Sequence, residues 1–416
     1  MRYLKSVEDV VKKNMCMGCG ICQVSSQAQG MRYRKQNDCY VPIIQKQTKD
    51  ELANQVCPGM GYAIADTAKE LFGEHANYYL NIGYVNQLYA AHSVEDRILE
   101  NASSGGMITS ILLYLLKHKM VDKVSVTQFV CDGAGVSTKT FLTSDPAEVL
   151  KAQGSKYCPV DLSGLLSELA SFDGKVALMA TPCAIAGIRN IQKYAPDRIK
   201  SQVIFCIANF CGGFKSLSNI KRLAEIHQVN YRALKDFRFR GGGQPGSLRF
   251  VEKSGKEVGT PYPNYVGMTG YSKMLRCHLC PDATGELADI ACGDAWIPKY
   301  QEDPSTWSMI ICRTDSATRL VNSMQQDGMI VSESVTEQDV SQSQRLNLAS
   351  KKTRQLARMK WYNFLGYSIP DYKNQGYSLN MSSMKTEMQV YVKHQLTLLA
   401  EKAGLYMVLY GNRKRK

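Results

Sequence analysis

The sequence predicts an α/β protein, and three observations carry that prediction. Between residues 123 and 228, strand-like apolar runs at 124–130, 176–180 and 203–208 alternate with helical patterns at 162–171, 184–194 and 217–227. Such alternation implies βαβ units and a largely parallel sheet, whose ligands gather at the carboxyl ends of the strands. Cysteines stand at two of those ends, Cys183 and Cys211, and 14 of the 416 residues are cysteine. Apolar residues make up 44% of the chain and charged residues 21%, a globular composition long enough for two or three domains.

In chain order, residues 1–75 come first as a separate unit. They contain Cys16-Met17-Gly18-Cys19-Gly20-Ile21-Cys22 and, much later, Cys57-Pro58-Gly59. Three thiolates two residues apart, with small glycines between them, let a tight loop wrap a cubic cluster. A remote Cys-Pro then closes it. This predicts a small ferredoxin-like [4Fe–4S] domain. Cys57 is the expected fourth ligand and Cys39 its rival. Zinc is the competing reading, but zinc sites usually pair two Cys-x2-Cys knuckles, which a triple run does not match.

Residues 84–92 read as a strand with a helix starting after Ser93. Asn101-Ala102-Ser103-Ser104-Gly105-Gly106 then opens an apolar helix, 107–116. Glycines 105 and 106 let a ligand approach the backbone, and the first-turn N–H groups suit a phosphate. A capped buried helix has the same appearance. Gly154-Ser155-Lys156-Tyr157 offers a cation and a ring on a turn, or an ordinary surface turn. At the centre stands Ala180-Thr181-Pro182-Cys183. Thr181 is placed as the N-cap and Pro182 as the first helical residue, which puts the Cys183 thiol where the helix dipole favours a thiolate.

Gly241, Gly243 and Gly246 formally satisfy G-x-G-x-x-G, but Pro245 interrupts the motif and a strand pattern follows. A glycine-rich hairpin is predicted, with Arg238 and Arg240 in reach of a phosphate or an acidic substrate. The densest stretch is Arg276-Cys277-His278-Leu279-Cys280-Pro281-Asp282, followed by Ala288-Asp289-Ile290 and Cys292-Gly293-Asp294. The Cys277/Cys280 knuckle needs two more ligands, and Cys183 with Cys211 supplies that number. Asp282, Asp289 and Asp294 are expected to order the loops. Cys206, Cys292 and Cys312 lie in apolar runs and read as structural. Lys156, Tyr157 and His278 are the only acid–base candidates, each more readily explained as positional, so no catalytic residue is assigned.

These landmarks, in this order, resemble the beta-subunit family of coenzyme F-420 hydrogenases and dehydrogenases, which includes 7-hydroxymethyl chlorophyll a reductase. The matching pieces run from residue 16 to about 313. The resemblance implies an FAD beside a [4Fe–4S] cluster held by Cys183, Cys211, Cys277 and Cys280. It also implies that Ser104, Gly105, Gly106, Gly154, Ser155, Lys156, Tyr157 and Thr181 line the flavin site. With Cys16, Cys19, Cys22 and Cys57, the expectation is two [4Fe–4S] clusters and one FAD. The domains are then 1–75, ferredoxin-like; 76–335, mixed α/β with flavin and cluster; and 336–416, a basic, largely helical extension that matches no family motif.

The expected function is oxidoreduction between a one-electron donor such as ferredoxin, or another redox protein, and a small organic substrate. The alternative is an electron-transfer subunit of a larger redox complex. The N-terminus has no signal-peptide core and no apolar run is long enough to span a membrane, so a cytoplasmic protein is expected. The formal charge of +14 would fall by roughly 2 for each tetrathiolate cluster and by about 2 for a flavin dinucleotide. Nucleic acid is therefore not the expected partner. Weak peripheral membrane contact through the basic tail, Asn412 to Lys416, and oligomer formation are left open.

Overall fold

The computed structural model describes residues 1–25, 28–44, 50–74, 76–243, 245–268, 273–303, 305–373 and 376–402. Near the N-terminus, β1 (Ala28–Arg34) and β2 (Cys39–Ile44) form a hairpin, and β3 (Asn77–Tyr79) and β4 (Gly83–Val85) a second. The strands of the body are β5 (Gln87–Ser93), β6 (Lys123–Cys131), β7 (Val136–Thr143), β8 (Lys175–Ala180) and β9 (Gln202–Asn209). Then come β10 (Leu234–Arg238), β11 (Ser247–Glu252), β12 (Glu257–Pro261), β13 (Ile290–Asp294), β14 (Ser308–Cys312) and β15 (Ile330–Ser334).

One eight-stranded sheet organises the body, in the order β15-β5-β14-β13-β9-β8-β6-β7. Its centre, β13-β9-β8-β6, is parallel. Its flanks are antiparallel, with β7 on β6 at one edge and β14, β5 and β15 at the other. The sheet is therefore mixed, which corrects the expected largely parallel arrangement. An apolar run reports burial on both faces and says nothing about strand direction. Here β6 turns back directly through Asp132-Gly133-Ala134-Gly135 as a hairpin, and β14 returns beside β13. The glycine-rich segment forms a three-stranded antiparallel sheet, β10-β11-β12.

The helix Pro182–Tyr194 follows β8 as predicted, with Pro182 in its first turn and Thr181 extended. The Thr181 hydroxyl does not cap it; it lies 3.5 Å from Cys183 Sγ. The same helix is the platform for the N-terminal segment. A Cβ on Gly187 would lie 2.9 Å from Ile21 Cγ2 and 3.3 Å from Pro58 Cδ. A larger residue at 187 would push that segment away.

After β15 the chain is helical: Glu337–Ser343, Arg345–Leu348, a π turn Ala349–Thr353, Gln355–Phe364 and Met381–Lys402. The predicted basic tail lies outside the described residues. Among those residues no helix is long and apolar enough to cross a membrane.

Candidate functional site: two cysteine sets and a cleft

The first set forms on the loop 16–22. Gly18 and Gly20 both adopt left-handed backbone, with φ of 74° and 72°, and the chain curls so that its thiols converge. Cys57, at the end of helix Glu51–Val56, reaches the same place. A small cavity is lined by Cys16, Cys19, Cys22 and Cys57, with Gly59 and Pro42 on its wall. Cys39 is absent from that wall. It sits behind Cys16, its Sγ 3.6 Å from the Cys16 carbonyl. Burial pushes these thiols up, Cys57 to about 11, and their mutual repulsion adds to it. Cys16 is raised first by its contact with Cys39 and then by burial.

The second set gathers from three segments: Cys183 from the start of its helix, Cys211 just past β9, and Cys277 within and Cys280 just after the short helix Leu275–Leu279. Burial and the neighbouring Cys280 and Cys211 raise the Cys183 thiol. The expected dipole-stabilised thiolate is thus outweighed, because the helix start is buried among other thiols. Cys280 behaves differently. Burial opposes its thiolate, but Lys351 and Arg276 outweigh burial and hold it below its ordinary value.

Buried cations test what these sets are fit to hold. Arg276 is 1% exposed; its Nη2 donates to the Pro58 carbonyl at 2.5 Å, while Nε and Nη1 have no partner. The guanidinium also lies 4.9 Å from the centre of the Tyr372 ring, but buried N–H groups of a cation left without an acceptor are costly unless an anion faces them. Four thiolates on an iron–sulfur core provide such an anion. Among the described residues no three Cys, His, Asp or Glu side chains are grouped tightly enough for a single metal ion. A tetrahedral zinc at about 2.3 Å from each sulfur needs the sulfurs about 3.8 Å apart. A cube carries an iron at each of four corners and takes one thiolate at each, the donor set that each group of four cysteines supplies.

A cleft of about 1180 Å³ opens at the carboxyl ends of β8, β9 and β13 and beside the middle of β6. Of the predicted flavin residues, Ser104, Gly106, Gly154, Ser155, Lys156, Tyr157 and Thr181 line it, and Gly105 does not. Gly105 is instead required by packing, since a Cβ there would strike the Ala91 carbonyl and the Ser308 amide. Each cysteine set sends one residue to the cleft wall, Cys19 from the first and Cys211 from the second. Met17 lies between the sets, with its Sδ 3.3 Å from Cys183 Sγ.

The two predicted flavin loops are joined through a residue the sequence did not single out. Ser103 Oγ accepts from the Ser155 amide at 3.3 Å and meets the Ser155 hydroxyl at 3.1 Å. Ser104 Oγ pairs with Ser308 Oγ at 2.8 Å. No side chain caps helix Met107–Lys117, whose N-terminal end faces the cleft behind Gly106. The Lys156 ammonium turns back onto its own loop, donating to the carbonyls of Ala152, of Gln153 at 3.3 Å and of Gly154 at 2.9 Å. Burial pulls its pKa down to about 7.

Arg240 lines the cleft, but its guanidinium is already engaged within the protein. It is ion-paired with Asp294 at 2.8 Å, lies over the Tyr262 ring and donates to the Tyr157 hydroxyl at 3.3 Å. Arg238 donates to Asn101 at 2.9 Å. The other aspartates order loops as expected. Asp282 accepts from the Gly285 amide at 2.8 Å, and Asp289 from the Cys206 amide at 2.7 Å and Arg189 at 2.9 Å. His278 is half-buried and does not line the cleft, and desolvation of its ring holds it neutral.

An α/β body with a ligand cleft at its strand ends and two convergent cysteine sets defines a redox-protein class. The chain belongs to the coenzyme F420 hydrogenase/dehydrogenase beta-subunit family. The model of that family's N-terminal part matches residues 88–167 and that of its C-terminal part residues 173–338. The chain is 27% identical over 293 residues to coenzyme F420 hydrogenase subunit beta of Methanococcus voltae, covering 68% of this chain and 96% of that protein. It is 25% identical over 243 residues to the F420-dependent formate dehydrogenase subunit beta of Methanocaldococcus jannaschii, 57% of this chain and 59% of that one. The chain thus matches little more than half the length of that second relative. A chain of the F420-reducing [NiFe] hydrogenase complex from Methanosarcina barkeri shares the fold, with a TM-score of 0.55 at 20% identity over 70% of this chain and 98% of that one.

Proposed function

We propose that this chain is an electron-transfer subunit of a redox complex, holding two [4Fe–4S] clusters and a flavin. Cys16, Cys19, Cys22 and Cys57 hold one cluster; Cys183, Cys211, Cys277 and Cys280 hold the other. The observation that carries the reading is a pair of four-cysteine sets beside one cleft, each with one residue on its wall, and a buried guanidinium near both whose Nε and Nη1 have no partner. The clusters supply one-electron transfer, and an FAD supplies two-electron exchange with an organic partner.

The chain's own residues do the remaining work. Ser104, Gly106 and the helix behind them offer hydroxyl and backbone donors to a phosphate. Lys156 closes the Gly154–Tyr157 loop on its own carbonyls, and the Ser103–Ser155 contacts hold that loop beside the start of the helix. The Arg240–Asp294 pair and the rings of Tyr157 and Tyr262 wall the cleft. Met17 fills the space between the cysteine sets and keeps water from it. Ferredoxin or another redox protein is the proposed one-electron partner, in the cytoplasm.

One observation favours a second reading, an oxidoreductase with its own small organic substrate. The cleft of about 1180 Å³ exceeds the roughly 300–1,000 Å³ of ordinary ligand pockets, so it has room beside a flavin. One preparation tests both. The chain is purified without oxygen and assayed for iron, sulfide, zinc and flavin, then for reduction of coenzyme F420, named for its relatives, with reduced ferredoxin as donor. About eight irons and one flavin per chain support the proposal. Zinc without flavin overturns it. Turnover by the isolated chain selects the second reading.

A further inference from the structure

We propose that Lys351, together with Arg276, makes the second cysteine set's cluster the more easily reduced of the two, and that the helical segment after β15 delivers this charge. The inference rests on the iron–sulfur reading above and goes beyond it to the order of the two potentials.

The segment carries three buried basic residues, Lys351, Lys352 and Arg358, to the back of the Cys277–Cys280 turn. Two are neutralised: Lys352 pairs with Glu286, and Arg358 with Glu387 at 2.7 Å. Lys351 is not. It is 2% exposed, and its Nζ donates to the Asp282 carbonyl at 2.7 Å. Among the described residues it makes no ion pair. The same Asp282 carbonyl lies 3.8 Å from Cys280 Sγ, so the ammonium and that thiol meet at one oxygen, and the Lys351 charge acts on Cys280, Cys211 and Cys277. Arg276 likewise makes no ion pair; it lies over the Tyr372 ring, 4.9 Å from its centre, and its charge also acts on Cys280 and Cys183.

The same segment fixes the turn itself. Arg358 donates to the His278 carbonyl and Gln355 to the Leu279 carbonyl at 3.0 Å. With Lys351 on Asp282, three carbonyls around the knuckle are held by a segment beyond residue 338, where the family match ends.

The first set has a different electrostatic surrounding. Arg276 reaches its Cys57, but Asp161 opposes a negative charge at Cys19. Around the second set the carboxylate of Asp282 is outweighed by Lys351, Arg276 and Lys273. Uptake of one electron makes a buried cluster more negative by one charge. A buried cation stabilises that state and a carboxylate opposes it. The second set is therefore the place where an added electron rests.

The full chain, purified without oxygen, is reduced stepwise with dithionite while electron paramagnetic resonance is recorded. Cys183→Ser identifies which signal belongs to the second set. The second set's signal should appear first in the unaltered protein. Lys351→Met should make it at least tenfold harder to reduce relative to the first set, about 59 mV for one electron, with iron content unchanged. Lys351→Arg should restore the original order. Reduction of the first set before the second overturns the proposal. So does a Lys351→Met protein with full iron and an unchanged ratio. If Lys351→Met loses iron, the order in the unaltered protein alone decides. A protein that binds no iron overturns the iron–sulfur reading and this proposal with it.

Discussion

The two cysteine sets are built in opposite ways. The first is local: three of its four residues lie within Cys16–Cys22, and two left-handed glycines shape the loop. The second is assembled from distant pieces of chain: a helix start, a strand end and the short helix Leu275–Leu279. Lys351 adds a charge from a segment further on. A local set depends on backbone conformation, whereas a dispersed one depends on the fold and on buried charge. The same element, helix Pro182–Tyr194, serves both, since it provides Cys183 and also carries Ile21 and Pro58 on Gly187.

The contrast can be broken from either side. The largest effect is expected from Lys352→Met, which leaves Glu286 buried without its cation. Breaking such a pair costs about 3–5 kcal/mol, measurable by denaturant unfolding, and iron should leave the second set before the first. Gly20→Ala acts on the first set alone. Its Cβ would lie 2.6 Å from Asp161 Oδ1 at a φ of 72°, and the expected cost is about 1–3 kcal/mol. Iron analysis should show the first site depleted and the second retained.

A third effect belongs to the cleft between the sets. Lys156 has its pKa pulled down to about 7 in the fold, against about 10.4 in an unfolded chain. Between those values the unfolded chain binds the proton and the folded chain does not, so stability rises with pH from about 7 toward 10. Lys156→Met should flatten that rise in thermal unfolding followed across the same range. The smallest effect is expected from Tyr157→Phe, which removes the contact with Arg240 at 3.3 Å. About 1 kcal/mol or less should be lost, with both iron sites unchanged.

What the sequence revealed follows the same division. The Cys16–Cys22 spacing is itself the geometry of a loop, so the first set is readable from one short stretch. Choosing between Cys39 and Cys57 was not, because both must be placed by tertiary contacts. The second set was readable as a number of ligands at strand ends, but its charge was not. Lys351 carries no spacing signal and is brought to Asp282 only by the folded C-terminal helices. Sheet direction escaped for a related reason, since apolar runs such as β14 report burial on both faces and not polarity. Gly105 looked like a ligand glycine because close approach to a backbone and close approach to a ligand require the same residue.

The proposed function requires two independent four-cysteine sites beside one cleft. Iron per chain in the unaltered protein, in Cys19→Ser and in Cys183→Ser, all purified without oxygen, tests it most directly. About eight, four and four irons are expected, with Cys19→Ser keeping the second site and Cys183→Ser keeping the first. About four irons in the unaltered protein, or loss of all iron from either variant while the fold persists, would contradict it.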